Sequence, residues 1–130
     1  MSRCRRTSLV VRALVELMLY DLVLAIWGFS GVNRRARRRA PARQHEAAPG
    51  LEAAVVDAVT CASSLYWKPV RCLQRSVVTA RVLSHYGIRS EVVIGYRPVP
   101  FFSHAWVEVN GKVANDLSGY RERLLVLERL

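Results

Sequence analysis

From Leu9 to Phe29 apolar side chains follow one another with few interruptions, and the charges Arg12, Glu16 and Asp21 are the main breaks. Such a run predicts a strongly apolar helix over 8–29, with Ser8 as its N-cap. Residues 30–50, "SGVNRRARRRAPARQHEAAPG", hold turn formers, an arginine cluster and two prolines, and read as a connector. In "LEAAVVDAVTCASSLY" apolar positions fall at 51, 55, 58, 59, 62 and 65, which is helical spacing. "WKPVR" breaks the chain, because Pro69 disfavours helix at the residue before it. A third helix is predicted over 72–86, apolar at 73, 77, 80 and 83, with Gly87 as its stop. His85 falls in its last turn, an exposed position at the negative end of the helix. Beyond it the period shortens to two. "RSEVVIGYR", "SHAWVEV" and "KVANDL" read as strands, and "YRERLLVLERL" ends the chain as a short strand. Three helices followed by an antiparallel meander make an α+β fold.

Charge divides this plan in two. The net balance of +10 is concentrated in residues 1–43, where ten arginines face only Glu16 and Asp21. The remainder is close to neutral. The expected organisation is therefore an N-terminal apolar helix with an arginine-rich connector over 1–50, and a catalytic domain over 51–130. A solvated linker is the default reading of the arginines. No aromatic residues alternate with them, so nucleic acid is not an expected partner. The charges inside the first apolar run make a membrane-spanning segment costly, and no small-residue cleavage site precedes the arginines. A helix covered by the domain, by a partner or by a membrane surface stays open. Three cysteines, Cys4, Cys61 and Cys72, form neither a disulfide framework nor a zinc-ligand spacing, and they fit a reducing cytoplasm. No metal and no cofactor is called for.

Cys72 stands where the chain break meets the third helix. A thiol there faces unpaired N–H groups and the positive end of the helix dipole, which favour thiolate and can stabilise an oxyanion. Arg71 and Arg75 add positive charge. Cys61, inside the second helix, reads as a small buried filler. The hairpin around Asn110-Gly111 offers a base. With a three-residue loop, facing residues sum to 220, Glu108 meets Lys112 and His104 meets Asp116. With a two-residue turn they sum to 221, Asp116 changes face and Asn115 becomes the residue beside His104. The register that pairs the opposite charges is the expected one. It joins a thiol, an imidazole and a carboxylate that orients the imidazole.

The stretch "LYWKPVRCLQRSVVTARVLSHYGIRSEVVIGYRPVPFFSHAWVEVNGKVAND" resembles the transglutaminase-like cysteine proteases that act as leader peptidases in lasso-peptide biosynthesis. The likeness rests on the tryptophan–proline approach to "CL", the "GIRSEVVIG" strand, "HAWVEVNG" and the closing "ND". It implies a transglutaminase-like, papain-like core with the cysteine at a helix N-terminus packed on an antiparallel sheet. It implies Cys72 as nucleophile, His104 as base and Asp116 as third member. The implied reaction is hydrolysis at the leader–core junction of a lasso-peptide precursor, in the cytoplasm. The implied partners are the precursor's leader, a separate leader-recognition protein (the split form of the family) and the lasso cyclase. Two other readings of the residues are an acyl transferase on the same triad, and a non-catalytic adaptor docking through the N-terminal helix.

Overall fold

The computed structural model describes residues 3–37, 50–98, 102–109, 112–114 and 125–130. Three helices, α1 (Arg3–Arg37), α2 (Leu51–Leu65) and α3 (Cys72–His85), pack on a sheet of β1 (Glu91–Arg97), β2 (Phe102–Val109), β3 (Lys112–Val113) and β4 (Leu125–Arg129).

The first helix is longer than its apolar run. It begins before Ser8, which lies inside it, and continues through 30–37, the start of the expected connector. It is not straight. Gly28 takes φ 68° and ψ −163°, a combination open essentially only to glycine. A continuous helix would separate residues 16 and 35 by about 28 Å. Instead Arg35 Nη2 donates to Glu16 Oε2 at 2.9 Å, so the chain reverses and α1 is a helical hairpin with Gly28 near its tip. Glu16 thus pairs across the hairpin and to α3, where Arg81 Nε donates to the same oxygen at 2.8 Å. Arg81 Nη1 also donates to the Arg35 carbonyl at 2.9 Å. Burial pushes the Glu16 carboxyl up, but Arg81 and Arg35 outweigh it and hold the pKa below its ordinary value.

Both arms of α1 enter one hydrophobic core. Leu9, Ala13 and Leu17 from the first arm and Val32 and Ala36 from the second meet Val55 and Val59 of α2 and Val77, Val78 and Leu83 of α3. One side of the apolar helix is therefore covered by the rest of the chain. α2 and α3 match their predicted spans within a residue, and His85 is exposed as expected. Gly87, at φ 81°, ends α3, and the Ile88 N–H reaches back to the Leu83 carbonyl at 2.9 Å.

The sheet runs β3-β2-β1-β4, all neighbours antiparallel. The first three strands form a meander. The last does not extend it, because β4 passes to the far side of β1, and Val92 and Leu130 exchange both backbone hydrogen bonds. Alternation splits the sheet faces. Val92, Val107 and Val109 join the helix-backed core, while Val93, Trp106 and Val113 form a small cluster on the other face.

The hairpin departs from its expected register. Glu108 pairs with Val113 and Val109 with Lys112, and the Ala114 N–H donates to the Val107 carbonyl at 2.8 Å. Facing residues sum to 221, the register of a two-residue connection. The Glu108–Lys112 pairing does not form. Glu108 has other partners: Trp106 Nε1 donates to its Oε2 at 2.9 Å, and Arg129 Nη1 approaches its Oε1 at 3.5 Å. Being buried, the Glu108 carboxylate needs such hydrogen-bonding partners. Asn115 and Asp116 lie outside the described residues, as do 38–49 of the expected connector.

Candidate active site

Cys72 is the first residue of α3, half-buried, with Arg71 extended at the N-cap (φ −83°, ψ 164°). Pro69, three residues before the thiol, disfavours helix in the approach, so α3 starts at Cys72. The first helical bond, Arg75 N–H to the Arg71 carbonyl, measures 3.0 Å, and the Arg71 side chain supplies no cap. Amides of the first turn are the groups that can receive a thiolate or an oxyanion.

The segment leading into Cys72 is fastened to α1. Tyr66 donates its hydroxyl to Asp21 Oδ2 and lies 3.3 Å from the Leu17 carbonyl. Lys68 Nζ is 2.7 Å from Asp21 Oδ1. Gln74 Nε2, one turn into α3, donates to the same Leu17 carbonyl at 3.3 Å. Tyr20 is buried close enough to Cys72 to feel its charge. Its hydroxyl is pushed up to about 12, first by burial and then by the negative charges of Asp21 and Cys72. Tyr66 is likewise pushed up to about 12, by desolvation and by the bond to Asp21, which favours the neutral phenol. Asp21 is thus not a charge misplaced in an apolar helix. It ties down the chain before the thiol.

His104 sits half-buried in β2 opposite Gly95. Its ring stacks between Phe102 and Trp106, with centroids at 6.2 and 6.4 Å. By alternation it shares its sheet face with Trp106 and Glu108, whereas α3 covers the face of Val107 and Val109. The described geometry therefore gathers Cys72 with Tyr20, Asp21, Tyr66 and Gln74. It gathers His104 with the Trp106–Glu108 column. A Cys72–His104 contact is not among the described interactions, and Asp116 lies outside the described residues. Cys61 is half-buried in mid-α2, and Cys61 and Cys72 are both free thiols.

Sequence reasoning passed over Tyr20, Asp21, Tyr66 and Glu108. The alternation His-x-Trp-x-Glu could have shown the last, since period two places all three on one face. The latch on Asp21 had no such signal, because it joins residues 45 apart.

The model of the Transglutaminase-like superfamily matches residues 3–129. The chain belongs to this superfamily. The transglutaminase-like chain is also 42% identical, over 59 residues, to the Microcin J25-processing protein McjB of Escherichia coli. That stretch is 45% of the chain and 28% of the relative, so the match spans under a third of that protein's length. No solved structure matches. The transglutaminase-like fold, helices with a small antiparallel sheet, agrees with the architecture described above. Among the described residues no group of histidine, cysteine and acidic side chains could hold a metal ion, and no helix is long and apolar enough to cross a membrane.

Proposed function

We propose that this transglutaminase-like protein is a cysteine peptidase that removes the leader from a lasso-peptide precursor. The observation that carries the reading is the 42% identity with a protein named for processing microcin J25. Cys72, heading α3 as a nucleophile would, supports it. In the proposed reaction His104 takes the thiol proton, and Cys72 Sγ attacks the carbonyl of the last leader residue. The first-turn amides of α3 hold the oxyanion. The C–N bond then breaks, His104 returns the proton to the core's new amino terminus, and the leader remains as a thioester. Water hydrolyses that thioester, releasing the leader as a carboxylate and restoring the thiol. Asp116 is the proposed orienting carboxylate, on family resemblance alone, since the observed register does not supply the parity argument. His104 is likewise the proposed base on family resemblance alone, since strand alternation sets it on the sheet face that α3 does not cover. A separate recognition chain would present the leader, and a cyclase would consume the freed core.

Mass spectrometry of a precursor incubated with this chain and its recognition partner tests the reading. Wild type and Cys61→Ala should yield free leader acid and core, and Cys72→Ala should yield neither. Processing by Cys72→Ala would sink the assignment. An amine adduct on the leader in place of the acid would move the chemistry to acyl transfer.

A further inference from the structure

The tip of the α1 hairpin is apolar on every side. Leu22, Ile26, Trp27 and Phe29 are 53, 58, 61 and 51% exposed, and Leu24 is exposed as well. On the first arm Leu22 and Ile26 continue a stripe of exposed Val11, Val15 and Met18, Leu24 and Trp27 point the other way, and Phe29 follows the break at Gly28. An amphipathic helix docking on a protein groove shows one apolar stripe and one polar face. Over residues 22–27 the polar face is missing, which suits insertion into lipid better than docking by one stripe. The charges come further back. Arg34 and Arg37 are exposed on the second arm, about 9 and 14 Å along the helix from Gly28, and line an open cleft with Ser30 and Asn33. The exposed surface of α1 carries no unpaired acid among the described residues, since Glu16 is held by Arg35 and Arg81, and Asp21 by Lys68 and Tyr66.

We infer that this tip is a membrane-surface anchor that dips into the outer part of an anionic bilayer. The spacing fits. Residues 22–29 reach about 12 Å, far short of a hydrocarbon core about 30 Å thick, so the tip enters without crossing. Interfacial segments sink about 5–10 Å. That depth leaves Arg34 and Arg37 at the level of the lipid phosphates, with Trp27 below them among the acyl chains. The inference does not depend on the proposed peptidase activity.

The full chain is mixed with vesicles of phosphatidylcholine containing about a quarter phosphatidylglycerol, and with pure phosphatidylcholine vesicles, and sedimented. The anionic vesicles should carry the chain down, less so at high salt, with blue-shifted tryptophan emission quenched by brominated acyl chains. Each buried CH₂ multiplies membrane affinity about four-fold, so Ile26→Asp should weaken binding on the order of a hundred-fold. Arg34→Glu with Arg37→Glu should abolish the preference for anionic vesicles while leaving a weaker, salt-independent binding. Ile26 is exposed, so the thermal unfolding midpoint of Ile26→Asp should stay near that of the wild type. Three results would overturn the anchor. The chain stays in solution with both vesicle types, or Ile26→Asp binds as well as wild type. The third is that the chain sediments as a dimer in which Trp27 emission is already blue-shifted without lipid, which would give the tip to a second copy.

Discussion

Replacing Glu16 by Gln keeps the volume of the side chain and removes its charge, so it isolates what the carboxylate does for the fold. The Glu16 side chain is 9% exposed, and its two partners, Arg35 and Arg81, are 23 and 20% exposed. Removing one member of a buried ion cluster typically costs about 3–5 kcal/mol, because the remaining charges lose their compensation. Both guanidinium groups keep some water here, and Arg81 keeps its bond to the Arg35 carbonyl. The expected loss is therefore about 2–4 kcal/mol, or roughly 8–15 °C in Tm for a chain of this size. The pH dependence has a definite sign. The folded-state pKa of Glu16 lies below its unfolded value of 4.5, so its contribution is present above that pH and is lost as pH falls through the folded pKa. The gap in stability between wild type and Glu16→Gln should be widest at neutral pH and shrink in acid below about 4.5. Urea unfolding followed by far-ultraviolet circular dichroism, from pH 7 to pH 3, measures both quantities. A difference under about 0.5 kcal/mol at pH 7, or one that does not narrow in acid, would refute the view that this carboxylate joins the α1 hairpin to α3.

Other outcomes follow from the turn and from the hairpin register. Gly28→Ala meets no atom within 4 Å, so its cost is purely that of the backbone conformation, about 1–3 kcal/mol by thermal melt, and a neutral result would show that Gly28 is not in the glycine-only region. If Asp116 orients His104, Asp116→Asn should lower kcat by up to about 10⁴ while Asn115→Ala costs far less. The reverse ranking in a leader-cleavage assay would assign the orienting role to Asn115, the residue that the 221 register favours.

Much of the layout could be read from periodicity, and the exceptions have physical causes. α2 and α3 were legible because their apolar positions repeat at helical spacing and Pro69 and Gly87 mark their limits. The fold-back of α1 was not, since it depends on one glycine in an uncommon conformation and on Glu16 finding Arg35 nineteen residues later. Charges that looked like interruptions of an apolar run are its attachments. The register failed for a similar reason. Pairing Glu108 with Lys112 treated the glutamate as a surface residue, whereas it is buried against Trp106. Cys72 was legible as a helix start because the break before it is covalent in origin. Its relation to His104 was inferred from family likeness, and strand alternation places the two on different sides of the sheet.

The order of strands carries a consequence for how the protein is made. β1, with its buried Val92 and Val93, finds β2 after a short connection, but its other neighbour, β4, is synthesised after both β2 and β3. Until β4 emerges, the outer edge of β1 presents unpaired backbone groups beside apolar side chains, the arrangement that recruits strands from other molecules. Nascent chains crowded on one message would be exposed to that hazard throughout translation of the segment between β2 and β4. Even the finished sheet passes the problem outward, because among the described residues β4 is itself an edge and leaves Leu125, Val126 and Leu127 exposed. Yield in a heterologous host should therefore depend on translation rate and on holdase chaperones more than on the final stability of the fold.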